Sequence, residues 1–415
     1  MVDLEDLATH PQRVLVTVTG PDHPGITAAM AGVLAEREAK LLDIEQVVLQ
    51  GQLTLCLLVG FEPGVSKGES ALKDLLFTAK RMGLDLSFRV LENREGVTQI
   101  PPAASARFAV TAIGDGLDAA GVCRLADVLA KAEANIETIQ RLSSGELSSL
   151  EVVLSLPVGE DPEQDGRALR RALIEATKGR DIDVAVQREG LTRRAKRMVV
   201  FDMDSTLIRM EVIDELARVH GVVDRVSEIT ARAMAGELDY EASLKERVKL
   251  LEGMPYADVL QLAANLPITE GVPRMLRVLK KLGYKTAVLS GGFTFAANAL
   301  KEQLGLDYAY ANVLEVEDGK LTGRVKEPIV TPQRKADLLD AIAQREGIDL
   351  EQTIAVGDGA NDMGMLERAG LGIAFHAKAK LKEAADTSVD KGGLDRILFL
   401  VGLRTRDIED VLTTP

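Results

Sequence analysis

Residues 199–207 read VVFDMDSTL, an apolar run that ends in the pattern Asp-x-Asp-x-Thr. The run indicates a short buried strand and places Asp202 and Asp204 at its carboxyl end, the edge where open α/β sheets bind ligands. Calcium loops also begin Asp-x-Asp, but they need Gly at the sixth position and Glu at the twelfth. Leu207 and Ile213 occupy those positions here, which excludes an EF-hand.

Apolar runs followed by polar turns recur further along the chain. One precedes Ser-Gly-Gly at 290–292, and another precedes GDGAND at 357–362. Because the carboxyl ends of parallel strands meet at one edge of a sheet, we expect these turns to converge on Asp202, joined by Lys335 from a predicted helix. Buried strands separated by helices predict a doubly wound parallel α/β sheet, with strands at 198–201, 286–289, 353–356 and 370–374.

Residues 205–267 break this alternation, because their pattern is helical throughout. An all-helical insertion directly after the first strand predicts a lid, or cap, over the sheet edge. Its predicted helices are 211–220, 226–234, 240–251 and 256–265.

Three or four carboxylates are predicted to meet one ammonium group at this edge. They are Asp202, Asp204, Asp358 and Asp362, beside Lys335. Partly buried like charges at this density cannot all stay ionised without a cation. A few hard oxygen ligands, with room left for water and phosphate, suit Mg²⁺ better than a full calcium cage, so we expect a Mg²⁺ cofactor.

In this order and strand context, the motifs resemble the haloacid dehalogenase superfamily of phosphotransferases over residues 197–400. The Asp-x-Asp-Ser-Thr form, followed at once by the helical insertion, is similar in particular to the phosphoserine phosphatase family. The resemblance implies Mg²⁺-dependent hydrolysis of O-phospho-L-serine to L-serine and phosphate through an aspartyl-phosphate, the last step of serine biosynthesis.

The resemblance also implies catalytic roles. Asp202 would attack phosphorus. Asp204 would protonate the leaving oxygen and then activate water. Lys335, the Ser290 hydroxyl and the Gly291 N–H would hold the phosphoryl oxygens as charge shifts during the reaction.

Metal and supporting roles are implied in the same way. Asp202, Asp358 and the Asp204 carbonyl would bind the metal. Asn361 would reach the phosphate or the serine side of the substrate. Asp362 would orient the water shell or the catalytic lysine.

The predicted lid carries the residues expected to select the substrate. The resemblance implies that Glu211 pairs with the substrate ammonium and that Arg247 clamps its carboxylate. Met234 and Tyr240 are expected to be apolar closers over the phosphate.

The N-terminal part of the chain contains an internal repeat with an offset of 94 residues. RVLVTVTG at 13–20 matches RFAVTAIG at 107–114, and NREG at 93–96 matches QREG at 187–190. Each copy predicts a strand, a helix, two strands, a helix and a strand. This βαββαβ order is the ferredoxin-like unit.

Each copy resembles the ACT domain, an amino-acid-sensing module, and the turn TGPDHPGI at 19–26 carries the resemblance. It implies an effector site for L-serine or another amino acid near Gly20, Asp22 and Gly25, where a helix N-terminus can accept a carboxylate. The second copy departs from the pattern at 114–121.

Each unit leaves a sheet edge or face open, which predicts a homodimer through the N-terminal domains. A role in dimerisation alone is the alternative.

The predicted organisation therefore has four parts. They are a regulatory domain at 10–92, a linker at 93–105, a second regulatory domain at 106–190, and a phosphatase domain at 191–415 with its cap at about 205–267.

The composition of the chain excludes some classes of binding partner. The net charge of −14 and the absence of Trp argue against nucleic acid. No apolar run approaches a membrane span, and the N-terminus lacks a signal-peptide core, so we expect a cytoplasmic protein that does not bind membranes. Cys56 and Cys123 are expected to be buried thiols rather than a disulfide.

Two other functions stay open at this stage. A phosphotransferase would pass the same aspartyl-phosphate to another alcohol. An amino-acid-sensing regulator with weak catalysis would be expected to have lost Asp202 or Asp204, and both are present.

Overall fold

The computed structural model describes residues 12–61, 65–91, 105–144, 148–157, 159 and 161–413. The chain divides into two compact units, 1–100 and 101–415. In the part of the chain that the structure describes, no helix has both the length and the apolar character needed to cross a membrane.

The first repeat is a four-stranded antiparallel sheet with two helices on one face. Its strand order is β2-β3-β1-β4. Residues of β3 alternate between buried and exposed because only one face is covered, and β2 is exposed along its whole length. The elements are β1 (Gln12–Pro21), α1 (Ile26–Glu36), β2 (Lys40–Leu49), β3 (Gln52–Phe61), α2 (Val65–Arg81) and β4 (Asp85–Leu91).

The second repeat has the equivalent strand order, β6-β7-β5-β8, which confirms the predicted ferredoxin-like pair. It differs in burial, because eight consecutive residues of β7 are buried and both faces of its sheet are therefore covered. The elements are β5 (Ser105–Ile113), α3 (Ala119–Lys131), β6 (Asn135–Arg141), β7 (Ser149–Pro157), α4 (Pro162–Thr177) and β8 (Asp183–Arg188).

The α/β domain is built on a seven-stranded sheet of order β12-β11-β10-β9-β13-β14-β15. All neighbours are parallel except the β11–β12 hairpin. The central strand, β9, is buried on both faces: Val199 and Phe201 enter one apolar core, and Met198 and Val200 enter the other. The strands are β9 (Met198–Phe201), β10 (Lys285–Phe293), β11 (Tyr308–Glu317), β12 (Lys320–Lys326), β13 (Thr353–Gly357), β14 (Gly372–Phe375) and β15 (Thr387–Val389).

The helices of this domain include the four that form the lid, α6 to α9, which follow β9 as predicted. The helices are α5 (Leu191–Arg194), α6 (Val212–His220), α7 (Val223–Met234), α8 (Tyr240–Lys249), α9 (Tyr256–Ala263), α10 (Val272–Lys281), α11 (Thr294–Leu304), α12 (Pro332–Glu346), α13 (Met363–Arg368), α14 (Ala379–Ala384), α15 (Ile397–Leu400) and α16 (Thr405–Thr413).

The second repeat joins the α/β domain along a seam between β8 and β15. The Asp390 N–H donates to Asp183 Oδ2 at 2.9 Å, and the Thr387 hydroxyl donates to the Val184 carbonyl at 3.3 Å. Ile113 of β5 belongs to the same apolar core as β9. This packing covers the second face of the sheet and explains why β7 lacks an exposed side.

The basic segment between the repeat and the α/β domain is part of this packing. Arg193, 3% exposed, donates to Glu151 at 2.9 Å and to Glu189 at 2.7 Å. Lys196 donates to the carbonyls of Glu351 and Gly370, and burial lowers its pKa to about 8. The segment therefore ties the two parts together.

The expectation that both cysteines are buried needs correction. Both cysteines are free thiols, but Cys123 is exposed and Cys56 only half-buried. Cys123 lies on the outer side of α3, because the buried positions of that helix are Gly121, Leu125 and Leu129. Most of the predicted linker 93–105 lies outside the described residues, and Ser105 already begins β5. The domain bounds stay predictions.

Candidate active site

Asp202 occupies the centre of the sheet's carboxyl edge. It directly follows β9, its N–H donates to the Val356 carbonyl of β13 at 2.8 Å, and it is 3% exposed. Because β9 lies between β10 and β13, the carboxyl ends of these three parallel strands face the same point. The sheet itself therefore brings the predicted motifs together.

A buried ion-pair cluster surrounds this carboxylate. Lys335, in the first turn of α12, donates to Asp202 Oδ1 at 2.5 Å and to Asp362 Oδ1 at 2.6 Å. Burial, followed by the charge of Asp362, raises the pKa of Asp202 well above its ordinary value despite the lysine. Burial alone would lower the pKa of Lys335, but the two carboxylates raise it, so the ammonium stays charged.

Three carboxylates form a group suited to a cation. Oxygens of Asp202, Asp358 and Asp362 all lie within 4.8 Å of one another. Burial, with repulsion from Asp362 and Glu211, raises the pKa of Asp358 to about 7. This donor set contains only hard oxygens and more negative charge than Lys335 balances, so it fits a divalent cation.

Asp204 is not one of the three carboxylates of that group. Its Oδ1 accepts the Val212 N–H at 3.1 Å, at the start of α6. Burial, then repulsion from Glu211, raises its pKa to about 8, so the carboxyl is mainly protonated at neutral pH. A protonated carboxyl beside a nucleophile can act as a general acid. The role of its carbonyl in metal binding stays a prediction.

The Ser-Gly-Gly motif lies in the irregular last part of β10, where the register with β11 shifts between Leu289 and Phe293; this segment is called the β10 turn below. Ser290 is fully buried, and its Oγ accepts the Gly292 N–H at 2.8 Å. The Gly291 carbonyl accepts hydrogen bonds from Asn312 Nδ2 at 2.8 Å and from the Tyr240 hydroxyl at 3.2 Å. The turn is thus fixed from the sheet and from the lid.

The lid residues lie at opposite ends of their helices, with Glu211 at the start of α6 and Arg247 in the last turn of α8. Glu211 is the N-cap residue of α6, not its first helical residue, and it accepts the Ser205 hydroxyl at 2.9 Å. Arg247 is half-buried on α8, and its Nε donates to the Ser243 carbonyl at 3.3 Å. The side chain of Met234 lies outside the described residues.

Tyr240 corrects one expectation. It was predicted as an apolar closer, but its hydroxyl makes a specific hydrogen bond to the Gly291 carbonyl. Burial raises the pKa of this hydroxyl, which therefore keeps its proton and remains a donor.

Asn361 and Asp362 lie in the short 3-10 turn after β13. Asp362 is fully buried and accepts the Gly359 N–H at 3.1 Å through its second oxygen. Asn361 is half-buried, and its amide lies 3.4 Å from Asp362 Oδ1.

Sequence reasoning missed Asn312, which lies within β11 opposite Phe293, the last residue of β10. Its amide is fully buried, and Oδ1 accepts the Val330 N–H at 2.7 Å. The available signal was a polar residue after the run Tyr-Ala-Tyr-Ala at 308–311. That strand was not predicted, so its carboxyl-edge residue was not considered.

The first repeat contains a separate cavity of about 330 Å³ at the turn before α1. Asp22 and Gly25 line it, and Gly25 is the N-cap residue of α1 with φ of 96°. Thr27 donates to Gln46 at 2.8 Å along its wall. Gly20 lies away from the cavity lining and packs against Leu84.

Comparisons with known proteins agree with this architecture. Residues 196–370 match the haloacid dehalogenase-like hydrolase family. Residues 12–89 and 106–187 match two ACT-domain families.

Full-length relatives extend the match to nearly the whole chain. A phosphoserine phosphatase of Streptomyces coelicolor is 42% identical over 95% of this chain and 93% of its own. One of Mycobacterium tuberculosis is 40% identical over 95% and 94%. The crystal structure of a haloacid dehalogenase-family hydrolase of Salmonella enterica serovar Typhi, 31% identical, covers 71% of this chain and 98% of its own with a TM-score of 0.61. The chain therefore belongs to the phosphoserine phosphatase family of haloacid dehalogenase-like hydrolases, with two ACT domains ahead of the catalytic domain.

Proposed function

We propose that the protein hydrolyses O-phospho-L-serine to L-serine and phosphate, the last step of serine biosynthesis. The observation that carries the proposal is the contrast between two neighbouring carboxyls. Asp202 is ion-paired with the Lys335 ammonium, with its Oδ1 2.5 Å from Lys335 Nζ, whereas Asp204 accepts the Val212 N–H and burial raises its pKa to about 8. A nucleophile and a general acid two residues apart are what an aspartyl-phosphate mechanism requires. The full-length relatives compared above are phosphatases by name, which favours hydrolysis over transfer to another alcohol.

In the first half-reaction, Asp202 attacks phosphorus and Asp204 gives its proton to the serine oxygen as the P–O bond breaks. In the second, Asp204, now a carboxylate, takes a proton from water as that water attacks the aspartyl-phosphate. Lys335, the Ser290 hydroxyl and the Gly291 N–H hold the phosphoryl oxygens through both steps. The proton returns to Asp204, so the cycle closes.

We propose that the cation is Mg²⁺, held by Asp202, Asp358 and the Asp204 carbonyl, with Asp362 supporting its water shell and Lys335. When bound, it supplies positive charge that reduces the repulsion between the Asp202 carboxylate and the phosphate group. The close approach of three carboxylate oxygens supports this assignment.

The serine end of the substrate is assigned to the lid. Glu211 pairs with the ammonium and Arg247 with the carboxylate, while Asn361 reaches the phosphate or the serine side from the sheet edge. Among the described residues, the two terminal nitrogens of Arg247 have no hydrogen-bond partner, which supports a role in binding an anion.

Regulation and assembly are further parts of the proposal. An amino acid such as L-serine binds in the cavity beside Asp22 and Gly25, and the chain forms a homodimer through its N-terminal domains. Exposed apolar residues along β2, including Val47 and Leu49, support a pairing surface there. Because a biosynthetic phosphatase acts where its substrate is made, we also expect a cytoplasmic location.

Phosphate release from a panel of phosphomonoesters tests the activity. We expect turnover of O-phospho-L-serine to exceed that of O-phospho-L-threonine and simple alkyl phosphates, and to cease when divalent cations are chelated. Asp202→Asn should lower turnover by at least ~10³-fold with the fold intact. Glu351→Gln, exposed and distant from the site, is a matched control. Full activity in Asp202→Asn would exclude the covalent route.

A further inference from the structure

The peptide group between Gly291 and Gly292 is held at both of its polar ends. Its carbonyl accepts one hydrogen bond from Asn312 Nδ2 at 2.8 Å and a second from the Tyr240 hydroxyl at 3.2 Å. Its N–H donates to Ser290 Oγ at 2.8 Å. Three side chains from three different elements thus fix the plane of one peptide.

This arrangement determines what Ser290 can do. A hydroxyl has one proton to donate and two lone pairs to accept. Because a lone pair of Ser290 Oγ is occupied by the Gly292 N–H, the rotamer is fixed and the hydroxyl proton remains free for a phosphoryl oxygen. A rotation of the peptide would remove that support from Ser290.

Asn312 is the fixed support of the peptide. It is fully buried in β11, and its Oδ1 accepts the Val330 N–H at 2.7 Å, just before the helix that carries Lys335. The amide therefore has a donor on one side and an acceptor on the other, which fixes its orientation. It links the Gly291–Gly292 peptide near the end of β10 to the segment that positions the catalytic lysine.

Tyr240 is the support that comes from the lid. It is the first residue of α8, within the insertion between β9 and β10. Only a glycine permits its approach, because a Cβ at position 291 would overlap the Tyr240 hydroxyl. The hydroxyl therefore reaches the turn only where the lid helix lies against the sheet edge.

We propose that Tyr240 and Asn312 are positioning residues that jointly orient the Gly291–Gly292 peptide, so that docking of the lid prepares Ser290 to donate to phosphate. The proposal deepens the proposed function and rests on its phosphate site. It assigns the lid a second task besides binding serine, because the hydroxyl of Tyr240 makes phosphate recognition depend on lid position.

Two variants remove one hydrogen bond each with little change of shape. Tyr240→Phe keeps the ring and removes the hydroxyl. Asn312→Asp keeps the acceptor for the Val330 N–H and replaces the donor to Gly291 with an oxygen. We expect kcat/KM for O-phospho-L-serine to fall about fivefold in the first variant, since one neutral hydrogen bond is lost, and further in the second, since a carboxylate then faces a carbonyl. Thermal unfolding of both variants checks that the fold persists.

The decisive measurement repeats both changes on Ser290→Ala. If the two residues act through the Ser290 hydroxyl, Tyr240→Phe and Asn312→Asp should have little further effect on kcat/KM once that hydroxyl is gone. Losses that multiply unchanged in the Ser290→Ala background would overturn the proposal. Wild-type activity in Ser290→Ala itself would instead show that the proposed phosphate site is wrong.

A second comparison tests the lid contact directly. Gly291→Ala should lower kcat/KM strongly, because the new methyl group displaces the Tyr240 hydroxyl. Adding Tyr240→Phe should restore part of the loss, because removing the hydroxyl makes room for that methyl group. An absence of rescue would mean that lid docking does not reach this turn, and the proposal would fail.

Discussion

Asp204 has the property that most sharply limits the chemistry of the site, because its pKa is raised to about 8, whereas Asp202 is ion-paired with the Lys335 ammonium. Burial and the neighbouring Glu211 keep it protonated. The leaving oxygen of serine needs that proton, whereas the leaving oxygen of an activated aryl phosphate does not. Comparing the rates on these two kinds of substrate therefore distinguishes the role of Asp204 as an acid in the first half-reaction from its role as a base in the second.

Asp204→Asn should consequently behave differently on the two substrates. On O-phospho-L-serine we expect a loss of at least ~10²-fold in kcat. On 4-nitrophenyl phosphate we expect a rapid burst of nitrophenol, equal in amount to the enzyme, followed by slow turnover as the aspartyl-phosphate accumulates. Stopped-flow absorbance measures the burst, and Asp202→Asn is the control that should show none. A slow first turnover without a burst would argue against the base role.

The proposed role of Arg247 leads to a prediction about substrate selectivity. Arg247→Ala should lower kcat/KM for O-phospho-L-serine, with a loss of ~2–4 kcal/mol in transition-state stabilisation, because the substrate carboxylate is left without its charged partner. The same change should have a much smaller effect on 4-nitrophenyl phosphate, which has no carboxylate. Arg247→Lys is the matched control, since it keeps the charge and loses the planar fork. Equal losses on both substrates would place Arg247 at the phosphate or in support of the lid.

At the scale of the element, the site residues that the sequence could predict are those that follow a recognisable buried strand. Asp202, Ser290 and Asp358 each follow a continuous apolar run, so one rule placed all of them at the same sheet edge. Asn312 escaped that rule because β11 continues into an antiparallel hairpin and has only two buried positions, so it shows no continuous apolar run. Three-residue β15 is too short to produce a pattern.

The sequence also could not predict hydrogen bonds between residues that are far apart in the chain and meet only in the folded structure. The Tyr240 hydroxyl and the Gly291 carbonyl are 51 residues apart, and only the folded lid brings them together. The burial of Arg193 follows from the seam, because its partner Glu151 lies on the second repeat. A run of basic residues by itself predicts a solvated segment.

The buried carboxyl of Asp183, in the seam between β8 and β15, leads to a prediction about how the stability of the fold depends on pH. Burial, together with the charge of Asp390, raises the pKa of Asp183 to about 6, although its bond to the Asp390 N–H opposes the rise. A raised carboxyl pKa means that the folded state holds the proton more tightly than the unfolded state. Its contribution is therefore fully present below pH ~4 and is lost as pH rises through about 6, by at most ~3 kcal/mol.

Asp183→Asn should remove this dependence, because the amide oxygen can still accept the Asp390 N–H without carrying a charge. We expect a higher Tm than the wild type at pH 7.5 and a similar Tm at pH 4.5, measured by differential scanning calorimetry of the full chain. Asp224→Asn, which changes an exposed carboxylate on the lid helix α7, serves as the control. An unchanged Tm difference across this range would show that Asp183 does not titrate in the seam.

At the scale of the whole molecule, the two repeats have different relations to the catalytic domain. The second shares an apolar core and buried ion pairs with it, whereas the first forms a compact unit of its own. A deletion that tests regulation should therefore end near residue 100. A chain that begins at Arg193 would lose Glu151 and Glu189 and would expose one face of the α/β core.

We expect a chain that begins at residue 101 to fold and to hydrolyse O-phospho-L-serine. If the first repeat senses L-serine, the concentration of L-serine needed for half-inhibition should rise ~5–150-fold on deletion, the usual range of allosteric coupling. Initial-rate assays over an L-serine series measure it, with D-serine as the matched control. Identical inhibition curves for the two chains would leave the first repeat with a role in assembly alone.

The coverage of the second repeat on both faces also has a kinetic consequence. Strand β7 pairs with β5 and β6 and is buried along eight consecutive residues, while β2 of the first repeat is an exposed edge strand. Amide hydrogens exchange with solvent when the structure around them opens, and edge strands open most easily. In deuterated water, the amides of β7 should therefore be among the last to exchange, because exposing them requires the repeat to separate from the catalytic domain. Those of β2 should exchange early in a separate chain and late in a homodimer paired through that strand, so the two repeats exchange at different rates although their strand order is the same.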